Sequence, residues 1–455
     1  MAKEDTSVSF REDFIWGAAT ASFQIEGAGD ERADSIWDVM CRQPGRVMSG
    51  HDGRVACDHV HRFREDVAIM RELGIRNYRF SVSWPRVMPQ GTGEVDKKGL
   101  AFYSELVDCL LENGIRPFVT LYHWDLPQAL QLRGGWANPE MPKWFAAYTK
   151  VVAECFGDRV KDYITLNEPQ CFVGLGYYTG VHAPGIKNSP RETMLTIVHN
   201  TLCAHGEAVR VLRETVPGVR VGVAPCADPQ IPASDDPRDI EAARTAYFAC
   251  KPENYFSVSL YSDPMMLGTY PEELLVRDGH LLPCGFERDM ATIHQPLDFY
   301  AQNIYNGRVC RAGADGSAQY LPEPVGVPRT AIDWSIHPEA LYWGPRFLYE
   351  RYRTPIIITE NGMSCHDVVS LDGQVHDPNR IDYMHRYLRE LRRAAEDGVD
   401  VRGYFAWSLM DNFEWAHGYN ERFGLVHVDY TTQKRTIKDS ARWYAGVIAE
   451  NGRAL

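Results

Sequence analysis

A closed barrel of eight parallel strands, each followed by a helix, is the α/β fold this sequence predicts. Amphipathic helix patterns stopped by glycine run directly into short apolar strand patterns, and about eight such strands are spread over the 455 residues. Polar side chains then recur at the C-terminal ends of those strands, where barrels of this kind keep their chemistry.

Taken in order, strands are expected near 14–19, 75–82, 116–122, 162–167, 219–224, 296–303, 355–360 and 401–407. Three helix–strand joints are the clearest. Residues 58–73 place Val60, Phe63, Val67 and Met70 on one face, stop at Gly74 and lead into the second strand. Residues 97–113 repeat the design with Leu100, Tyr103, Val107 and Leu110 before Gly114. Residues 379–397 carry Met384, Leu388, Leu391 and Ala395 and end at Gly398, ahead of the eighth strand. The strands at 296–303 and 401–407 are the least regular. Stretches rich in Pro and Gly at 169–190, 225–236, 252–295 and 311–334 follow strands and are expected as long loops over the C-terminal face. With no linker and no repeat, one catalytic domain over 1–455 is expected, since such barrels exceed the usual domain length.

Composition narrows the partners. A net charge of −13 repels phosphate backbones, so nucleic acid is not expected. Arg386, Arg389, Arg392 and Arg393 read as the solvated face of a helix rather than a basic patch. Eleven cysteines are scattered with no C-x-x-C, which suits reduced thiols and a cytoplasmic protein. The N-terminal Met-Ala-Lys-Glu-Asp-Thr lacks the apolar core of a signal peptide, and no 18-residue apolar run predicts a membrane span. Without H-E-x-x-H, a Cys/His cluster or G-x-S-x-G, neither metal nor cofactor is expected. The glycines at 174, 176 and 180 have the wrong spacing for a dinucleotide loop.

Two glutamates stand out. Glu168, in Thr165-Leu166-Asn167-Glu168-Pro169, closes the fourth strand, and Glu360, in Ile358-Thr359-Glu360-Asn361-Gly362, closes the seventh. In one barrel both would face a common pocket, and a carboxylate pair held that way is the apparatus of glycosidic bond hydrolysis. Other strand ends carry Gln24, Arg79, His123, Trp124, Asp125, Asn167, Asn303, Tyr305 and Trp407. Burying so many polar groups is costly unless they bond one another or a ligand.

The sequence resembles glycoside hydrolase family 1 over nearly its whole length. The two glutamate motifs are similar to the family's acid/base and nucleophile motifs, and residues 14–27 (Phe-Ile-Trp-Gly-Ala-Ala-Thr-Ala-Ser-Phe-Gln-Ile-Glu-Gly) look like its N-terminal signature. Arg79-Phe80-Ser81-Val82-Ser83-Trp84-Pro85-Arg86, Tyr122-His123-Trp124-Asp125-Leu126-Pro127 and the run from Trp407 to Trp415 complete the set. The resemblance implies a retaining β-glycosidase in which Glu168 is acid and then base, Glu360 is the nucleophile, and Arg79 and Tyr305 bond Glu360. It further implies that Gln24, His123, Asn167, Glu414 and Trp415 bind sugar hydroxyls and that Trp407 stacks on the ring. Trp124, Asn303, Trp334 and Phe423 complete the expected substrate-binding set, with Trp334 towards the aglycone. His182 reads equally as support or as substrate contact.

A small-molecule β-glycoside is thus the expected partner, β-glucosides first, with β-galactosides and β-fucosides alongside; homo-oligomer formation stays open. Members acting on 6-phosphorylated sugars place serine near 414 and a lysine soon after, whereas Glu414 would repel a phosphate. A thioglucosidase would carry glutamine at 168. A transglycosylase would use the same residues, and a non-catalytic sugar-binding relative would have lost one of the two glutamates.

Overall fold

The structure, a computed structural model, describes residues 9–455. Eight parallel strands form a closed barrel: β1 (Ile15–Ala19), β2 (Asn77–Ser81), β3 (Arg116–Tyr122), β4 (Asp162–Asn167), β5 (Arg220–Ala224), β6 (Phe299–Ile304), β7 (Ile356–Asn361) and β8 (Val401–Trp407). Each pairs with the next, and β8 closes the ring on β1 through Ile15 opposite Gly403 and Ala19 opposite Trp407. Every expected strand is present, with ends shifted by three residues at most.

Helices α1 (His59–Glu72), α2 (Lys97–Glu112), α3 (Met141–Phe156) and α4 (Arg191–Thr215) follow β1 to β4. Between β5 and β6 lie several helices, among them α5 (Val258–Leu267) and α6 (Phe286–Ile293); α7 (Ala340–Tyr352), α8 (Pro378–Glu396) and α9 (Asp439–Ala449) follow β6 to β8. Each of α1 to α3 buries an apolar stripe against the barrel wall, for instance Phe63, Val67 and Met70 on α1. Inside the barrel, Ile15, Phe118, Ile164, Phe299, Ile357 and Phe405 fill the lower floor as a separate apolar cluster. That floor leaves the polar chemistry to the upper rim.

One expectation needs correction. Residues 252–295 are not a loop: α5, a helix over Glu272–Asp278 and α6 occupy most of them. Pro264 lies inside α5, and proline and glycine punctuate short helices here rather than coil. The stretch after β4 likewise begins with a π-helix, Cys171–Thr179.

Both strands that carry the glutamates shift register near their ends. On β4 the shift against β5 falls between Ile164 and Asn167, and on β7 the shift against β6 falls between Ile358 and Glu360. Such irregularities re-aim side chains that would otherwise alternate between the barrel and its helices. Here they bring Asn167, Glu168 and Glu360 to one mouth.

Candidate active site

Arg79 is the hub of that mouth. It is fully buried, and its guanidinium donates to Thr120 Oγ1 at 3.0 Å, to Glu360 Oε1 at 2.6 Å and to Asn167 Oδ1 at 2.5 Å. A planar five-donor fork can join β2, β3, β4 and β7 in this way, where a lysine could not. Glu360 receives a second bond from the Tyr305 hydroxyl at 2.7 Å. Glu168 accepts from Asn303 Nδ2 at 2.7 Å and from the Cys171 thiol at 3.0 Å. Asn303 also donates to Asn167 Oδ1 at 3.0 Å, while Thr359 Oγ1 holds its carbonyl at 2.7 Å. One amide network therefore spans both carboxyls.

The partners make the carboxyls unequal. Burial, and then the charge of Glu360, push Glu168 up to about 7. Burial raises Glu360 as well, but the Arg79 guanidinium and the Tyr305 phenol oppose it. The larger cause is therefore burial, with the mutual repulsion expected from the sequence second. Of the two, Glu168 is the carboxyl that keeps its proton towards neutrality, and Glu360, on its arginine, is the one favoured to carry charge.

Around the pair lies a second group of polar residues. His123 accepts from Asn167 Nδ2 on Nε2 at 3.1 Å, and burial and Arg79 keep it neutral, so its proton sits on Nδ1. That Nδ1, Gln24 Oε1 and Glu414 Oε2 are buried with no protein partner. Burial and the carboxylates Glu360 and Glu421 push Glu414 up to about 8. The Gln24 amide nitrogen is fixed on Phe413 O at 2.8 Å, which turns its oxygen towards the mouth. Unpaired buried groups of this kind cost about 1–3 kcal/mol each, a cost that ligand hydroxyls can offset.

Aromatic rings wall the mouth. Trp407 and Trp415 both lie nearly parallel to His123, at 5.8 and 5.9 Å, and Trp124 packs on Trp415 at 4.6 Å while donating to Asn167 O at 3.0 Å. Opposite, Tyr305, Trp334 and Phe423 form a triangle with ring centres 5.3–6.1 Å apart. His182 sits behind, against Trp37 at 5.2 Å and Trp124 at 5.3 Å, with burial holding it down at about 3. Its place is support behind Trp124 and Trp415. Trp124, Glu168 and Trp415 have φ of 79°, 43° and 47°, left-handed backbone that costs about 1–3 kcal/mol for such residues and concentrates at functional sites.

The residues expected at the two carboxyls thus lie around one mouth, whereas His182 packs behind it and the Asp125 carboxyl is buried on the Ser22 hydroxyl at 2.9 Å. The thiol of Cys171 was missed. Its only signal is position, three residues past Glu168, where a helical turn brings it back onto the carboxyl. Gly362 was also unread: a Cβ there would lie 1.8 Å from Trp407 O, so only glycine lets the end of β7 meet β8 this closely.

A carboxyl pair of opposite protonation at the mouth of a (β/α)8 barrel, flanked by hydroxyl-seeking groups and aromatic faces, defines a glycosidase. Comparison with known proteins agrees. The model of glycosyl hydrolase family 1 matches residues 6–453. Beta-glucosidase A of Thermotoga maritima is 48% identical, covering 97% of this chain and 98% of the relative. A bifunctional β-D-glucosidase/β-D-fucosidase of Bifidobacterium breve is 41% identical over 97% and 98%. The solved Thermotoga maritima β-glucosidase bound to deoxynojirimycin superposes with a TM-score of 0.89 at 46% identity, covering 98% and 99% of the two chains. The chain belongs to glycosyl hydrolase family 1.

Proposed function

We propose that the chain hydrolyses terminal, non-reducing β-D-glucosyl residues of oligosaccharides and of aryl or alkyl glucosides by double displacement, with retention. The observation that carries this is the inequality of two carboxyls joined through one Arg79–Asn167–Asn303 network. Glu360, ionised on Arg79, attacks the anomeric carbon while Glu168 passes its proton to the leaving oxygen. The ester removes the charge of Glu360, which is the second cause of the high affinity of Glu168 for its proton. Glu168 then takes a proton from water, and the hydroxide completes hydrolysis. Asn167, fixed by Arg79 and Asn303, faces the 2-hydroxyl, and Gln24, His123 and Glu414 bind the remaining hydroxyls.

Activity on β-fucosides and β-galactosides is part of the reading; the β-fucosidase activity named for the Bifidobacterium breve relative supports the first. Oligosaccharides of cellulose are supported as substrates by a 1,4-β-D-glucan glucohydrolase of Thermotoga neapolitana, 47% identical over 97% of this chain. All described cysteines are free, which supports residence in the reducing cytoplasm. The test is the anomer released first from an aryl β-glucoside, followed by NMR. β-Glucose is expected; α-glucose would overturn retention, and binding without turnover would make the chain a sugar-binding relative. A 6-phosphoglucoside should react orders of magnitude more slowly than the glucoside, because Glu414, even where it is protonated, offers no cation to a phosphate and no lysine follows it in residues 415–423.

A further inference from the structure

On the outer layer, away from the barrel mouth, α4 and α6 come unusually close. A Cβ on Gly206 would lie 1.9 Å from Thr292 O, so the helix backbones touch there. One turn away on α4, His199 and Cys203 stand at i and i+4 on one face. Asp289 reaches them from α6: His199 Nε2 is 3.1 Å from Asp289 Oδ2 and 3.5 Å from Cys203 Sγ. We propose that His199, Cys203 and Asp289 form a zinc-type metal site that clamps α4 to α6, with Nε2, Sγ and Oδ2 as three ligands and water as the fourth.

The spacing fits a tetrahedral ion. Ligands about 2.0–2.3 Å from zinc are about 3.3–3.7 Å apart; the two contacts of His199 Nε2 lie within a few tenths of an ångström of that range, and all three ligand atoms lie within 4.8 Å of one another. The ligand types fit as well, one thiolate, one imidazole and one carboxylate being a mixture zinc accepts. The Tyr270 hydroxyl lies 3.0 Å from His199 Nδ1 and can accept a hydrogen bond from it; with the ring proton on Nδ1, Nε2 offers its lone pair to an ion in place of the bond it otherwise donates to Asp289. Such an outer partner is how proteins orient a metal-binding histidine. His199 and Cys203 are both buried. The Asp289 side chain is 49% exposed, which gives an ion its way in. Binding replaces the Cys203 thiol proton by the metal and releases that proton to water.

A hydrogen-bonded His199–Asp289 pair, with Cys203 as a bystander, is the competing reading, and cobalt distinguishes the two. Titrated into chelator-stripped enzyme, Co²⁺ should give a cobalt–thiolate charge-transfer band that saturates at one ion per chain. Zn²⁺ should displace it and raise the melting temperature. Cys203→Ala should abolish the band, and Asp289→Asn and Tyr270→Phe should weaken Zn²⁺ binding by about 10–100-fold. Hydrolysis of aryl glucosides should be unchanged in all three. A band that survives Cys203→Ala, no band at millimolar Co²⁺, or Zn²⁺ affinity untouched by Asp289→Asn would each overturn the site. Asp289→Asn removes a half-exposed charge only, so its fold is not at risk.

Discussion

Glu168 and Glu360 are the same side chain at two strand ends, and their neighbours alone separate their chemistry. Because Glu168 must hold a proton to act as acid, kcat/KM for aryl glucosides should fall as pH rises through about 7. The falling limb should vanish in Glu168→Ala on substrates with good leaving groups; a limb that stays would assign it elsewhere. With azide, Glu168→Ala should yield the β-glycosyl azide, whereas Glu360→Ala should be inactive alone and yield the α product. The raised affinity also costs stability. A folded carboxyl near 7 against an ordinary 4.5 binds more protons than the unfolded chain between those values, so stability falls as pH rises across them. Glu168→Gln should therefore be about 1–3 kcal/mol more stable than the wild type in urea at pH 8, the gain shrinking towards pH 4.5. An equal gain at both pH values would point to packing instead. At this scale the sequence was legible wherever a motif named the residue, from Gln24 to Phe423. The Cys171 thiol was not, because a cysteine in an apolar turn carries no mark of the carboxyl above it.

The elements show why reading failed in one region and succeeded in others. On α1 and α2 the apolar period, a terminal glycine and a following strand agree with one another, so the pattern could be read directly. Residues 252–295 gave conflicting signals: Pro264 sits within α5, and Gly268, Pro271 and Gly285 interrupt the chain every few residues. Helices that short take their stability from packing on α4 rather than from propensity, and packing is invisible in a window of sequence. The register shifts on β4 and β7 are equally silent, since they depend on pairing between distant strands. Gly362 offers the sharpest element-scale test. Its missing side chain lets the end of β7 lie against Trp407 O. Gly362→Ala must part the two strands, which moves Glu360 away from Arg79 and Trp407 away from His123. A displacement near 1 Å costs about 10²-fold, so kcat/KM should drop by that order while the far-ultraviolet spectrum is kept. Activity within a factor of about three of the wild type would show that β8 can yield.

Across the whole molecule the loops above the barrel are tied by a buried ion network beside the barrel mouth. Lys438, at the start of α9, donates to Asp367 at 2.5 Å and to Asp411 at 2.7 Å, joining the loops after β7 and β8 to the C-terminal helix. Arg422 holds the other Asp411 oxygen at 2.6 Å, and Arg380 of α8 bonds Asp367 at 2.7 Å, Asp377 and the Arg422 carbonyl. Burial alone would raise Asp411, yet Lys438 and Arg422 hold it below the usual carboxylate range. Asp411 thus contributes stability that is present above the ordinary carboxyl range near 3.9 and lost as pH falls below it. Lys438→Met keeps the volume and removes the cation, leaving two buried carboxylates short of a partner at a cost of about 3–5 kcal/mol. With an unfolding entropy of about 2.1 cal/mol/K per residue, a chain of 455 residues loses roughly 1 °C per kcal/mol. The melting temperature should therefore drop by about 3–5 °C at pH 7. It should drop less at pH 4, where the orphaned carboxylates can take up protons. A deficit equal at both values would mean that the lysine stem, not its charge, holds the loops. Because Glu414 and Trp415 follow Asp411 by three and four residues, the same substitution should raise KM for glucosides more than it lowers kcat.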